Sequence, residues 1–390
     1  MQKTSENKKI DKILRHPKLL SDLIDFELEK QIVREKDTKW CIFLCSCGKL
    51  VKNANLASYN LLVNSESGTG KDWITDKTLK IWPEDQVVKR TRISEKVFTY
   101  WHNPKFDPKW TWDGKVFYNE DIANHVLNSD VFKVMSSSGS KATVLVNQLP
   151  VDIEIVGKPV MIVTSATANP KPEIMRRFTM VSLDEEVEQT ELIMARQAKK
   201  ARMPDTTTME YDRDLIEALG ELKRVSVVIP YAESLMKLFP KDHVIMRTHF
   251  ERFLDYIKAS AALHQFQRQE TAVGIIEAEG QDYDYARTVF LKVTSNPQMI
   301  PLTKNELRIY DVLKESFEKD TWASVSEISK FVSFVSDRTL RVVLEKLVNY
   351  GFLAKNRDNR ENSAKMVFVY RLKFFDKVEL PKWGKFDVSA

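Results

Sequence analysis

A chain of 390 residues with 43% hydrophobic composition can bury more than one core, and two or three domains are expected. Its 60 basic and 55 acidic residues leave a net charge of +5, too mild to name a nucleic-acid partner by itself. No uncharged apolar run reaches the ~18 residues of a membrane helix and the start (Lys3, Glu6, Lys8, Lys9) is polar, so a soluble cytoplasmic protein with no membrane partner is expected.

Residues 1–57 read as an N-terminal helical subdomain. Leu19, Leu20, Leu23, Ile24, Phe26 and Leu28 recur at helical spacing, and a second apolar helix is predicted from Trp40 to about Leu56. Cys41, Cys45 and Cys47 lie in that apolar run without a histidine nearby, which fits buried reduced thiols better than a zinc site.

The next stretch organises the chain: Leu61-Leu62-Val63-Asn64, then Ser65-Glu66-Ser67-Gly68-Thr69-Gly70-Lys71-Asp72. An apolar strand that breaks into a glycine turn and then a helix presents backbone N–H groups to an anion, and the lysine adds a point charge; this is a P-loop pattern. With only 11 glycines in the chain, Gly-x-Gly-Lys is expected by chance roughly 0.03 times. A plain surface turn is the alternative. Ser67, Gly68, Thr69, Gly70, Lys71 and Asp72 are the candidate contacts for ATP, and two of the loop's positions depart from the usual pattern. Ser65 replaces its first glycine, and Asp72 stands where Ser or Thr would ligate Mg²⁺, so the metal geometry is altered or hydrolysis is weak.

Residues 58–200 are read as one α/β core around this loop. A short strand at Gln86-Val87-Val88 is followed by Thr91–Ser94 and by Tyr100, Trp101, Trp110 and Trp112; with Lys105 and Lys109 these aromatics form either a stacking platform for single strands or packing. The strand Lys115–Tyr118 ends in Asn119-Glu120-Asp121. Acids at a strand's C-terminal end beside a P-loop suit water activation by Glu120 and Mg²⁺ support from Asp72, Glu120 and Asp121, with a simple helix cap as the alternative. Two runs, Ala142–Asn147 and Val151–Val156, predict a hairpin, with Lys141 and Lys158 near its ends as candidate nucleic-acid contacts. The apolar strand Pro159–Thr167 leads to Asn169, and Arg176-Arg177 stand at the next helix-to-strand junction.

Residues 201–296 are expected to form a helical lid, and residues 297–390 a winged-helix domain with a C-terminal tail. The latter rests on helices at Thr303–Phe317, Ser324–Phe331 and Ser336–Tyr350, capped by Gly351, and strands at Phe352–Lys355 and Lys365–Leu372. Arg338, Arg341, Arg357 and Arg360 are candidate DNA contacts there; protein interaction is the other use of such a domain.

The order of P-loop, strand-end acids, hairpin, Ala168-Asn169-Pro170 and Arg176-Arg177-Phe178 resembles the AAA+ ATPases, in particular the MCM helicases and MCM-like helicases of mobile genetic elements. The resemblance implies a sensor-1 role for Asn169 and an arginine-finger role for Arg177. Met246-Arg247-Thr248-His249-Phe250 is similar to the group's sensor-2 helix, which implies that role for Arg247. Pro230-Tyr231-Ala232-Glu233 and His264-Gln265-Phe266-Gln267-Arg268 also resemble helicase regions of bacterial primase-helicase proteins. What these likenesses imply is an ATP-driven helicase or translocase in replication of a plasmid, virus or integrated element. It would work as a homo-oligomeric ring, a hexamer for instance, on single-stranded or forked DNA, with a primase or other replication protein as partner. The rival class is an initiator or loader that binds nucleotide with weak or no ATPase.

Overall fold

The computed structural model describes residues 2–101, 110–137, 139, 141–146, 149–166, 170–184, 186–202, 210–239, 241, 245–294, 304–318, 321–349, 352–358, 366–373 and 380–385. It forms two compact units, one of Met1–Phe239, Val244–Met299 and Val378–Ala390, the other of Pro240–His243 and Ile300–Lys377.

The larger unit opens with α1 (Gln2–Leu14), a π-helical turn (Leu19–Ile24) that runs into α2 (Asp25–Glu29), and α3 (Lys36–Cys47). The apolar run predicts one helix to about Leu56, but α3 stops at Cys47. Gly48 lies against the Tyr59 ring, where a Cβ would come within 2.2 Å of it. Asn53 is then drawn sideways to pair with both backbone groups of Val227. All three cysteines are buried free thiols, and burial is the leading cause that pushes the Cys47 thiol up.

The central sheet follows: β1 (Leu61–Asn64), α4 (Lys71–Leu79), β2 (Val87–Arg90), α5 (Val97–Tyr100), β3 (Val116–Asn119), α6 (Asn124–Leu127), α7 (Asp130–Met135), the hairpin β4 (Lys141–Val146) and β5 (Leu149–Glu154), β6 (Val160–Ser165), α8 (Pro172–Met175) and β7 (Thr179–Val181). The order β2-β3-β6-β1-β7 is parallel throughout, so β6 lies between the P-loop strand and the strand that ends in acids. The two-residue period of a strand divides its side chains between two cores. Leu61, Val63, Val116, Tyr118 and Ile162 face α3 and its neighbours, while Leu62, Phe117, Met161 and Val163 face Phe98, Trp112 and Phe132. Trp101, Trp110 and Trp112 of the aromatic-rich stretch are therefore packing, with Trp112 fully buried; Lys105 and Lys109 lie outside the described residues. Asn60, buried below β1, holds the sheet's lower edge by bonding Ser136 O and the Met161 N–H at 2.8 and 3.0 Å.

The rest of this unit comprises α9 (Val187–Ala201), α10 (Arg213–Gly220), β8 (Ser226–Val228), α11 (Ala232–Leu238), α12 (Ile245–Leu263), β9 (Glu270–Ala272), β10 (Ile275–Glu277) and α13 (Gly280–Thr294). The expected helical lid thus holds a three-stranded sheet, β8-β10-β9. Each of these strands has three residues, too few to show a period, and Gly274 (φ 71°) turns β9 into β10. The motif His264–Arg268 is structural. Arg268 grips Asp282 on α13 at 2.6 and 2.7 Å, and Gln267 donates to Leu14 O and His16 O, closing the N-terminal helices onto the α12 end.

The smaller unit contains α14 (Lys304–Ser316), β11 (Trp322–Ser324), α15 (Val325–Ser329), α16 (Asp337–Asn349), β12 (Leu353–Asp358) and β13 (Val367–Leu372), with an antiparallel sheet β11-β13-β12. Ser324, expected to begin a helix, both ends β11 and caps α15 in a capping box with Glu327. The tail Leu380–Lys385 belongs to the larger unit, where Trp383 lies against Gly280, Tyr231 and Tyr283.

Candidate phosphate-binding site

All five strands point their C-terminal ends the same way, so β1, β3 and β6 deliver their following loops to one edge. From β1 the chain turns through an exposed loop in which Gly68 (φ 89°) and Gly70 (φ 91°) adopt the left-handed conformation that glycine tolerates best. A Cβ at either glycine would meet nothing within 4 Å, so the space before the loop is open. Gly70 is the N-cap of α4, whose first N–H groups and dipole face that space. Thr69 Oγ1 closes the turn by donating to Glu66 O at 2.9 Å; Ser67 is exposed. Ser65, in place of the first glycine, has a structural use: its buried hydroxyl accepts the Leu183 N–H at 2.8 Å and ties the loop to the end of β7.

Lys71 is 6% exposed, and its Nζ lies 3.5 Å from Asp72 Oδ2. The other Asp72 oxygen accepts from the Thr164 hydroxyl of β6, while that hydroxyl accepts the Asp121 N–H at 2.8 Å. Asp121 has a left-handed backbone (φ 45°), and its carboxylate accepts from Ala166 N at 3.3 Å. Thr164 therefore couples the two acids. Sequence reading missed it, although the polar pair Thr164-Ser165 at the end of an apolar strand was a usable signal. Tyr118 donates to Asp72 O at 3.4 Å; burial first, then Asp72, Glu120 and Asp76, push its phenol well up.

Glu120 is placed differently from the expectation of a free base. Its Oε1 lies 2.6 Å from Lys89 Nζ, which also holds Asp76 of α4 at 2.7 Å. Burial opposes the charge on Lys89, but its bonds to Asp76 and Glu120 outweigh this and raise its pKa. Asn119 is buried and donates to Arg90 O, which stitches β3 to β2. A cleft of about 790 Å³ opens beside Asp121, lined also by Arg92, Lys96 and His125.

Among the described residues no three His, Cys, Asp or Glu converge as a metal cage. Mg²⁺ at triphosphate sites needs only one or two carboxylates beside phosphate and water oxygens, and Asp72 with Asp121 fits that donor set. Glu120, held by Lys89, is the weakest of the three expected metal residues.

Other candidates lie elsewhere. Asn169 and Arg360 are outside the described residues. Arg177 stands ahead of β7, at the sheet edge opposite the P-loop, and donates to Lys133 O at 3.2 Å. Arg247 is exposed on α12; on the same helix Arg252 donates to Arg176 O, which places that stretch at Arg177's edge too. Lys141 begins β4. Lys158 is 7% exposed and its Nζ has no hydrogen-bond partner among the described residues, so a nucleic-acid contact is not available to it as placed. Burial and then Arg177 lower its pKa to about 7. Arg338, Arg341 and Arg357 are exposed in the smaller unit, with Arg357 4.8 Å from the centre of the Phe368 ring.

No helix among the described residues is long and apolar enough to cross a membrane. None of the curated proteins matches the chain. A family model described as the MTBMA_p00010 P-loop domain matches residues 4–218, from within α1 into α10. With the glycine loop, Lys71 and the parallel sheet all inside a match that spans more than half its length, the chain belongs to the MTBMA_p00010 P-loop domain family.

Proposed function

We propose that the chain is an ATP-dependent helicase or translocase of the AAA+ class that works on DNA as a ring of identical subunits. The observation that carries the reading is the polarity of the sheet. Phosphate loop, Asp72 and Asp121 stand at one edge, whereas Arg177 and the Arg247–Arg252 stretch stand at the other. Thr179 pairs with Leu61, and the P-loop begins only after Asn64, so at ~3.3 Å per residue Arg177 lies roughly 15–20 Å from its own loop. That exceeds an arginine's reach. Such a residue serves a phosphate only when it belongs to a neighbouring subunit.

In this reading Lys71 and the α4 N-terminus hold the β- and γ-phosphates, and Asp121 orients the attacking water. Mg²⁺, held by Asp72 and Asp121, would neutralise the charge that builds on the phosphate oxygens. Asn169 takes the sensor-1 role and Arg247 the sensor-2 role by resemblance. Support for DNA comes from the exposed arginines of the smaller unit, read as a winged helix, and from the hairpin β4–β5, whose Leu145 and Leu149 are exposed. Primase or another replication protein remains the partner that the resemblance suggests. A second reading, the initiator or loader with weak or no ATPase, is favoured by the Glu120–Lys89 pair, which leaves Asp121 as the acid of that loop with no cation partner among the described residues.

Steady-state ATPase with and without single-stranded DNA, together with unwinding of a forked duplex, separates them. Stimulated hydrolysis with unwinding supports the motor. Nucleotide binding with no hydrolysis under either condition supports the loader, and no nucleotide binding at all overturns both.

A further inference from the structure

Trp73 follows Asp72 in the first turn of α4, yet it is 52% exposed, although an indole is on average highly buried. Its ring is not loose. The indole N–H donates to Gln31 O at 3.3 Å, and Lys77 Nζ sits 4.5 Å from the ring centroid. Among the described residues no other ring or cation lies against it, so one broad face is held in place and left to solvent.

The sheet order says what that face is for. Asp72 leans toward β6, where Thr164 and Asp121 gather, and this fixes the γ-phosphate end of a bound triphosphate on the β6 side of the α4 N-terminus. Trp73 leans the other way, toward Gln31 and the stretch that reaches Glu35. That stretch is tied to the segment after β7 by the Asp184 N–H, which donates to Glu35 Oε1 at 2.6 Å. β7 flanks β1 on the side opposite β6. The nucleoside end of a triphosphate whose γ-phosphate faces β6 must leave the loop on this second flank. There an oriented, solvent-facing indole offers the base a stacking surface.

We propose that Trp73 is the platform for the base of a nucleoside triphosphate, favouring the larger ring of a purine; this rests on the reading of the P-loop as a nucleotide site. Stacking of a base on an aromatic side chain strengthens binding by about ten- to a hundredfold, and a phosphate chain without a nucleoside gains none of it.

The test is calorimetric titration of the full chain with MgATP and with inorganic tripolyphosphate. Wild type should bind MgATP about ten- to a hundredfold more tightly. Trp73→Ala should bring the two close to equality by weakening ATP alone, Trp73→Phe should keep most of the preference, and Lys71→Ala should lose both ligands. Retained tripolyphosphate binding shows that Trp73→Ala is folded. An unchanged preference in Trp73→Ala, or none in wild type, overturns the platform while leaving the P-loop standing. If wild type binds neither ligand, the nucleotide reading fails and the platform with it.

Discussion

At the scale of single residues, the site divides into a part written locally and a part written across the chain. Gly68, Gly70 and Lys71 were legible because their work depends on chain neighbours: two left-handed glycines, a helix start and one lysine. Lys71→Ala should therefore abolish or greatly weaken phosphate binding, measured as loss of MgATP binding, with the unfolding midpoint little changed; unchanged affinity would remove the P-loop reading. The polar pair Thr164-Ser165 marks a strand end in the sequence, but Thr164's link to Asp72 was not legible, because its hydroxyl finds that partner, 92 residues away, only when β6 comes to lie beside β1. Thr164→Val removes both hydrogen bonds at nearly constant volume and leaves Asp72 and Asp121 uncoupled. The expected result is ATP binding within a few-fold of wild type and turnover lowered about tenfold or more, since orientation rather than charge is lost. Equal loss of binding would instead make Thr164 part of the phosphate cradle. Glu120 shows the limit of reading acids by position, because nothing in Asn119-Glu120-Asp121 reveals that Lys89 on the next strand claims the first acid.

At the scale of elements, β1, β3 and β6 of the large sheet were readable because they are buried on both faces, so their apolar runs are nearly continuous. The three-residue strands β8 to β11 were not. β8 and β11 are held by pairing with distant partners, Ser226 with Ile275 and Trp322 with Arg371, which no local pattern encodes, and β9 and β10 form a hairpin too short to show a period. Lys158, at the entrance to β6, is the element-scale misfit: a buried amine without a hydrogen-bond acceptor among the described residues. Its pKa falls from 10.5 unfolded to about 7 folded, because burial and the nearby Arg177 disfavour the charge. With the folded value depressed, the unfolded chain holds the proton more tightly between pH 7 and 10.5. Stability is therefore lost as pH falls through that window and is lowest at neutral pH and below. Lys158→Met should stabilise the larger unit at pH 7 by on the order of 2 to 4 kcal/mol, and the gain should shrink as pH approaches 10. Urea unfolding at pH 7 and pH 9.5 measures it. A variant no more stable than wild type at pH 7 would show that Lys158 finds a partner in solution.

At the scale of the whole molecule, the proposed ring rests on the resemblance and on the distance that the parallel sheet puts between Arg177 and the phosphate loop. The prediction that belongs here concerns Arg177, which lies too far from its own phosphate loop to act on it. Arg177→Ala subunits should bind ATP normally, yet hydrolyse it slower by roughly 10³- to 10⁵-fold, the usual worth of a finger supplied in trans. Lys71→Ala subunits should fail for the opposite reason, an empty loop beside an intact finger. Mixing the two inactive variants is then diagnostic. In a mixed ring some interfaces join the intact loop of one subunit to the intact arginine of the next, so ATPase activity should return and depend on the mixing ratio. An arginine acting within its own subunit allows no such recovery, because every subunit still lacks one half of its site. Size-exclusion chromatography with differently tagged subunits must first show that mixed assemblies form. If they form and no activity returns, the ring reading loses its support; if Arg177→Ala alone is fully active, neither its charge nor its place at the lower edge of the sheet serves hydrolysis.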